Sequence, residues 1–477
     1  MYYGRKKAII IAIVVVVVVI LLAIAGTLIV MYTDLFKSDK TLFWKYMCMG
    51  LENSKVQNTQ LEDVEKLKLQ SPYTVKGELT ATSTEEQLNT ALEKMKVNIE
   101  AQTDKTNNYT YTNAKLDYAN ATLFNLEYVN SDNIYALKSD EIVTVYLGVR
   151  NENLKVLLQK LGVTDTIGVP DTIIPINYAE LLKLSDEEIE HITETYKDII
   201  INNIPADSYS KQTEAIIEKD EVSYNTTSYR LDLTGTQISE IIVNVLNTLK
   251  TDSITLNMIA TKAKALNMSE EFTTIEGINE MIDVLISELQ KAEIADTSFV
   301  VYSYKGEKIA TEILVRNMQK FTIYNGETST KIVTEDLTNI EKDNVVIMDI
   351  NYKATSTESN IGLKISTAKE EIISLNILNT GSAAQGRTQT IGILTITNEG
   401  KSIDLEYNQI LEFVDEIENM QKLDSTNCAI LNDYTQEQLS SLLEAVVNQI
   451  NAVYTHKAQM LGLIPATEET VQEQVTQ

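Results

Sequence analysis

From Ala8 to Tyr32 the chain runs for 25 residues without a charge, and beyond that it changes to short apolar runs broken by Thr, Asn, Asp and Ser. At 1.5 Å per residue, the first stretch predicts a helix able to cross about 30 Å of hydrocarbon. Residues 73–80 alternate like a half-buried strand, whereas Leu88, Leu92 and Met95 place a helical pattern over 85–100. Runs rich in Tyr, Thr and Val around 107–118, 121–129, 133–138 and 141–149 recur at the spacing of an antiparallel meander.

A helical block comes next. Residues 151–161 read as a short helix, and Pro170 and Pro175 mark an irregular link. Ser185-Asp186-Glu187-Glu188 is a capping box, followed by Ile189, Ile192, Tyr196 and Ile199 or Ile200 on one face. That helix should stop near Ile204-Pro205. A strand pair near 221–234 leads to a helix capped by Thr236 and running to about Lys250. Further helices are expected near 252–266 and 274–292, the latter with a stripe of Ile278, Met281, Ile282, Leu285 and Leu289.

The second run of strands is longer, with nine candidates between Thr297 and Tyr407. Turns such as Tyr304-Lys305-Gly306-Glu307 and Asn325-Gly326-Glu327 separate them. Alternation such as Ile393, Thr395 and Thr397 opposite Leu394 and Ile396 predicts one buried and one wet face. A helix from about Gln436 to Lys457 follows.

These elements predict an α+β fold: an N-terminal transmembrane helix, then a large curved antiparallel β-meander, half-barrel-like, packed against helices. The expected organisation is a basic tail at 1–7, a membrane anchor at 8–32 and a juxtamembrane helical segment at 33–70. An α+β domain then spans 71–433, with strands at 73–149, mainly helix at 151–292 and strands at 297–407. A C-terminal helix occupies 434–460 and a polar tail 461–477.

Charge gives the membrane segment a direction. Arg5, Lys6 and Lys7 precede it and Asp34 follows, so the positive-inside rule puts the N-terminus in the cytoplasm and the rest outside. A cleaved signal peptide is the rival reading, because Ala23-Ile24-Ala25 resembles a cleavage site; the apolar run continuing through Leu28-Ile29-Val30-Met31 argues for an uncleaved anchor. The protein is expected at the cell membrane, single-pass, with its C-terminal domain extracytoplasmic.

Composition narrows the chemistry. Forty Lys and Arg against 68 Asp and Glu leave a net charge of −28, which repels phosphate backbones, so no nucleic-acid partner is expected. Two His and two Cys are too few for a zinc site or an iron–sulfur cluster. Cys48 and Cys428 read either as a disulfide or, preferred here, as two unrelated thiols. With 17 Gly, no phosphate-cradling loop or nucleophile-elbow motif can be read. Ser208-Tyr209-Ser210-Lys211 and Ser366-Thr367-Ala368-Lys369 match S-x-x-K, but Ser131-Asp132-Asn133 precedes them and no K-T-G follows, the wrong order for a penicilloyl serine transferase. Asp186, Glu187 and Glu188 suit the first turn of a helix, and His191 should face solvent. No catalytic residue, metal ligand or cofactor is therefore assigned, and the protein is not expected to be an enzyme.

Leu35-Phe36-Lys37-Ser38-Asp39-Lys40-Thr41-Leu42-Phe43-Trp44-Lys45-Tyr46, and the later Leu184-Ser185-Asp186-Glu187-Glu188-Ile189 to Ile204-Pro205 helix, resemble uncharacterised membrane-anchored extracytoplasmic proteins of Gram-positive bacteria, a domain of unknown function. The strand-helix-strand layout is similar to that of curved-sheet envelope proteins that carry lipoproteins or lipids. That resemblance implies a concave apolar face covered by helices and carries over no functional residue.

The leading expectation is a non-catalytic envelope protein that binds an apolar or amphipathic ligand, or a protein partner, between sheet and helices. Ile241, Val243, Leu246, Met281, Leu285 and Leu289 are the candidate pocket residues, with filling of the core as their ordinary alternative. The alternatives for the whole protein are a structural scaffold without a pocket and a carboxylate-dependent hydrolase of cell-wall glycan.

Overall fold

Strand residues dominate the computed structural model, which describes residues 38–49, 59–119, 121–164, 171–173, 184–266, 268–326, 328–338 and 345–460. Eighteen strands are present among them. The chain divides into two units, one comprising Met1–Val56, Pro175–Asn351 and Leu363–Glu371, the other Gln57–Ile174, Tyr352–Gly362 and Ile372–Gln477.

In the first unit, Tyr209–Lys219 pairs antiparallel with Val222–Leu233, which pairs with Thr297–Tyr304. Neighbours then follow in chain order: Glu307–Val315, Gln319–Asn325, Ser329–Asp336 and residues 345–351 of the strand Val345–Ala354. Two-residue turns join the tightest hairpins. Asp220-Glu221 and Lys305-Gly306 take positive φ at both central residues, whose twist matches that of the flanking strands.

Helices cover one end of this sheet. Asp39–Cys48 sets Phe43 and Trp44 against it, with Trp44 only 2% exposed. The Trp44 indole Nε1 donates to the Tyr209 hydroxyl at 2.9 Å, and Tyr46 stacks on Tyr229 at 5.3 Å between centroids. This aromatic segment is thus the first helix of the core. Asp186–Asn202 and Gly235–Leu249 add Ile192, Tyr196, Ile200, Ile241 and Val245 to the same cluster, which holds Leu231, Leu233 and Val301 from the strands. A smaller cluster joins Ser253–Ala265 to Ile275–Leu289 through Leu256, Ile278 and Ile282.

In the second unit the pairing order starts at Glu371–Ser382 and continues through Arg387–Asn398, Lys401–Phe413, Tyr73–Ser83 and Met95–Asp104. It then follows Tyr109–Tyr118, Ala121–Ser131, Ile134–Lys138 and Tyr146–Arg150. Cys428–Ile430 adds a short strand parallel to Tyr146–Arg150. The buried cluster of this unit is small: Tyr109, Val129, Ala136, Tyr146, Ile417 and Cys428.

The fold class expected from the sequence is corrected by these strands. In place of an α+β arrangement with a transmembrane helix and a helix-packed half-barrel, the described chain is a predominantly antiparallel β protein. Helices build the core of one unit, and on the other unit's sheet three successive rows of paired residues contain no buried residue. The membrane helix expected over 8–32 lies outside the described residues; among the described residues no helix is long and apolar enough to cross a membrane.

Three local differences explain much of the shift. Residues 85–100 divide into a short helix, Glu86–Leu92, and a strand, Met95–Asp104, because Val97, Ile99 and Ala101 alternate along the strand beside Tyr73–Ser83. The strand pair assigned to 221–234 is a longer hairpin, Tyr209–Lys219 with Val222–Leu233. The helix expected from Thr236 is capped two residues earlier: Thr234 accepts from the Gln237 backbone N–H, and Gln237 reaches back to the Thr234 N–H. The capping box at Ser185 and Glu188 forms as read.

Candidate functional site

Directly paired residues in adjacent strands carry their side chains on the same face, so the registers of the second unit define that face row by row. One row runs Ile373, Ile396, Ile403 and Ser83. The next is Leu375, Leu394, Leu405 and Ala81. The third crosses seven strands as Ile377, Gly392, Tyr407, Leu79, Val97, Leu116 and Phe124. At the usual strand spacing it is about 29 Å long.

No charged side chain occurs in these three rows, and none of their residues is buried. Ile396 and Ile403 are exposed, at 45% and 37%, and the other residues of the three rows are half-buried. The Tyr407 ring reaches over Gly77 in the neighbouring strand. A Cβ added to Gly77 would come within 3.2 Å of that ring and its hydroxyl oxygen, so the missing side chain at Gly77 makes room for it. The Tyr407 hydroxyl donates to Gln409 Oε1 at 2.5 Å, and burial raises its pKa.

Polar groups border the patch on both sides. Past Tyr407, the next row places Asn379 beside Thr390, whose hydroxyl donates to Asn379 Oδ1 at 2.7 Å. At the opposite edge, Lys401 pairs with Glu85 at 3.3 Å. The reverse face of the same strands is rich in polar pairs: Lys96 with Glu78 at 2.5 Å, Asn98 with Asp117 at 2.7 Å and Thr395 with Asp404 at 2.6 Å. The bordering row past Tyr407 is polar over Asn379, Thr390 and Gln409 and stays apolar over Gly77, Ile99, Ala114 and Leu126, so polar groups meet the apolar rows along part of their border.

The six residues named from sequence lie in the first unit. Ile241 is buried in the core beneath the aromatic helix. Leu246 and Met281 pack half-buried against Leu256, Ile278 and Ile282. Leu289 is buried, and Val243 and Leu285 are half-buried. Sequence reasoning did not single out the second unit's open rows. The available signal was the absence of any helical pattern between Thr297 and Tyr407 to cover their alternating positions.

A polar node connects two helices of the first unit. His191 Nε2 lies 2.9 and 3.0 Å from the two Asp252 oxygens, so His191 is bonded across to another helix and does not simply face solvent. Asp252 also accepts from the Tyr196 hydroxyl at 3.0 Å and the Thr255 hydroxyl at 2.5 Å, and caps Ser253–Ala265 through the Ile254 and Thr255 N–H groups. Burial pushes the carboxyl up, but the bonds from Thr255, His191 and Tyr196 outweigh it and hold the pKa at about 2. Burial and the neighbouring Asp252 raise the Tyr196 pKa. Each acceptor is occupied by a structural partner, so the node ties helices together. Ser131-Asp132-Asn133 is a tight turn with positive φ at Asp132 and Asn133, and Ser210 and Lys211 lie in a strand. Both cysteines are buried thiols.

A family model described as a family of unknown function (DUF6583) matches residues 1–464. No curated protein is significantly similar in sequence. Among solved structures, a substituted porin of Rh. blastica is similar at 7% identity and a TM-score of 0.17, over 72% of this chain and 99% of that chain. OpdL of Pseudomonas aeruginosa is similar at 6% identity and a TM-score of 0.15, over 72% and 98%. A transferrin binding protein B of Haemophilus parasuis Hp5 is similar at 6% identity and a TM-score of 0.10, over 72% and 76%. At these TM-scores the likenesses carry no argument.

Proposed function

The chain belongs to this family of unknown function, and from its own geometry we propose that it is a non-catalytic lipid-binding protein of the bacterial cell envelope. The second unit's open sheet face receives the acyl chains of an amphipathic lipid. The observation that carries this reading is the set of three charge-free rows, from Ile373 to Phe124, none of whose residues is buried, with polar groups at part of their border. Covering them with hydrocarbon recovers about 25 cal/mol for each Å² removed from water, and no specific hydrogen bond is needed along the rows. The polar border, including Lys401 and Glu85, leaves a headgroup in water. The charge-free run at 8–32 holds the protein at the membrane, with its folded part outside the cytoplasm.

Native mass spectrometry of the full chain, purified in detergent from cells, tests the proposal. The expected result is a stoichiometric mass excess that is lost on denaturation and extracts as phospholipid. The same excess should be missing from a Leu394→Asp, Leu405→Asp double variant that melts at the same temperature. A bare mass with no uptake of added phospholipid overturns the proposal, as does equal retention of lipid by the double variant.

A further inference from the structure

The apolar rows belong to a wider face without charge. Alternate residues of a strand point to the same side, so the rows from Asn379 to Leu126, from Gly381 to Leu147 and from Phe413 to Val149 share the face of the three apolar rows. No Lys, Arg, Asp or Glu occurs in any of the six. On the reverse face one row alone carries Lys76, Glu100, Glu127 and Lys138. Phosphate groups are ordinarily held by Arg, Lys or the N-terminus of a helix, and the six rows offer none of these. A single cation stands at their border. Lys401, two residues before Ile403 in the same strand, places Nζ 3.3 Å from Glu85 Oε2. The two side chains are 66% and 47% exposed, so their pairing adds little to the fold and each is free to take a ligand's charge in its place. Negative charge prevails around them: residues 84–93 and 398–402 hold Glu85, Glu86, Glu93 and Glu399 against Lys401 alone.

We propose that the phospholipid headgroup received at this border is zwitterionic, a phosphate that bears an amine, and that phospholipids of net negative charge are refused. The assignment rests on the lipid-binding reading and gives it a specificity. Lys401 turns to the phosphate and Glu85 to the ammonium group, each exchanging one opposite charge for another, so no charge at the border is left unpaired. An anionic headgroup supplies a phosphate for Lys401 and nothing for Glu85. It leaves that carboxylate facing the phosphate, with Glu86 beside it in the chain. Discrimination therefore comes from repulsion as much as from attraction. The net charge of −28 repels anionic lipid from farther away, but salt at about 0.1 M screens charges more than about 10 Å apart, so the carboxylates at the border decide.

The full chain, freed of lipid in detergent, is offered phosphatidylethanolamine and phosphatidylglycerol in equal amounts, with identical acyl chains, in about 0.1 M salt. Native mass spectrometry then counts the lipids bound. Phosphatidylethanolamine is expected in about fivefold excess or more. Glu85→Lys should bring the two lipids to parity or reverse their order, whereas Glu100→Lys, the same change of charge on the reverse face, should keep the parent's ratio. Glu85 makes no side-chain bond at the start of the helix Glu86–Leu92, so its replacement should leave the melting temperature unchanged. If Glu85→Lys does melt lower, Glu85→Gln takes its place, with the ratio expected to fall about twofold. Equal uptake of the two lipids by the parent overturns the headgroup assignment and leaves lipid binding standing. A ratio that Glu85→Lys does not change, or that Glu100→Lys lowers equally, does the same. Uptake of neither lipid overturns the lipid-binding reading itself, and the headgroup assignment with it.

Discussion

In the first unit a single row of one sheet face runs Tyr229, Val301, Thr311, Ile323, Ile332 and Met348. Its first three residues are buried beneath helices, Val301 completely, and its last three are half-exposed. In the second unit the row from Ile377 to Phe124 is as apolar but nowhere buried. Strand composition is similar in the two places, so it cannot be what separates core from open face. The difference lies in the chain between strands: the first unit inserts long helices between Leu233 and Thr297, and the second passes from Glu371 to Phe413 through turns and one short 3-10 helix, Ala383–Gln385. Apolar alternation specifies a face that must be covered, and the connections decide whether the chain supplies the cover itself.

This contrast is broken most severely by changes under the helices. Trp44→Ala removes a buried ring and its bond to Tyr209, and is expected to destabilise the protein by about 3–5 kcal/mol in urea unfolding. A loss below about 1 kcal/mol would mean that the aromatic helix is not core. Asp252→Asn is next, at about 2 kcal/mol near neutral pH, because three side chains and a helix N-terminus lose their ionised acceptor. Its effect depends on pH. The folded carboxyl titrates at about 2 against an ordinary 3.8, so its contribution is full above pH 4 and disappears as pH falls through 2. The gap between parent and variant should therefore narrow across that interval, and a constant gap in unfolding measured from pH 5 to pH 2 would contradict the assignment.

Smaller effects sharpen the same comparison. Thr234→Ala removes the cap at the start of the covering helix Gly235–Leu249 and should cost about 1 kcal/mol, read as a lower urea midpoint with an unchanged slope. Leu405→Ala, on the open face, is expected to cost less than about 1 kcal/mol, because its side chain leaves little packing behind. A loss as large as that for Trp44→Ala would show that the open rows are packed, and the contrast between the units would fail.

Much of the local structure was legible. The Ser185 to Glu188 box, the Ile275–Leu289 stripe and strands such as Thr297–Tyr304 and Ser329–Asp336 follow from periodicity and capping chemistry. Strand ends were harder to read, because Thr, Asn and Ser continue a strand as well as ending it: Asn379, Thr380 and Ser382 all remain in Glu371–Ser382. The short strand Cys428–Ile430 is held by a distant partner, Tyr146–Arg150, and three residues carry no period of their own. The bond between His191 and Asp252 joins positions far apart in the chain and leaves no local trace. Ile241 and Leu246 drew notice as apolar residues on helices, where the pattern is strongest. Leu375, Leu394 and Leu405 form a row only once three registers are known, and register is what a single sequence specifies least.

The most direct test of the central claim is a polarity-sensitive fluorophore placed on each unit. Acrylodan is attached to Leu405→Cys on the open face and, as the control, to Ile216→Cys, an exposed position on the first unit's edge strand, with Cys48 and Cys428 buried in both. Adding phospholipid should shift the emission at position 405 to shorter wavelength, saturate at a fixed lipid ratio and leave position 216 unchanged. No shift at 405, or an equal shift at both positions, would contradict the account.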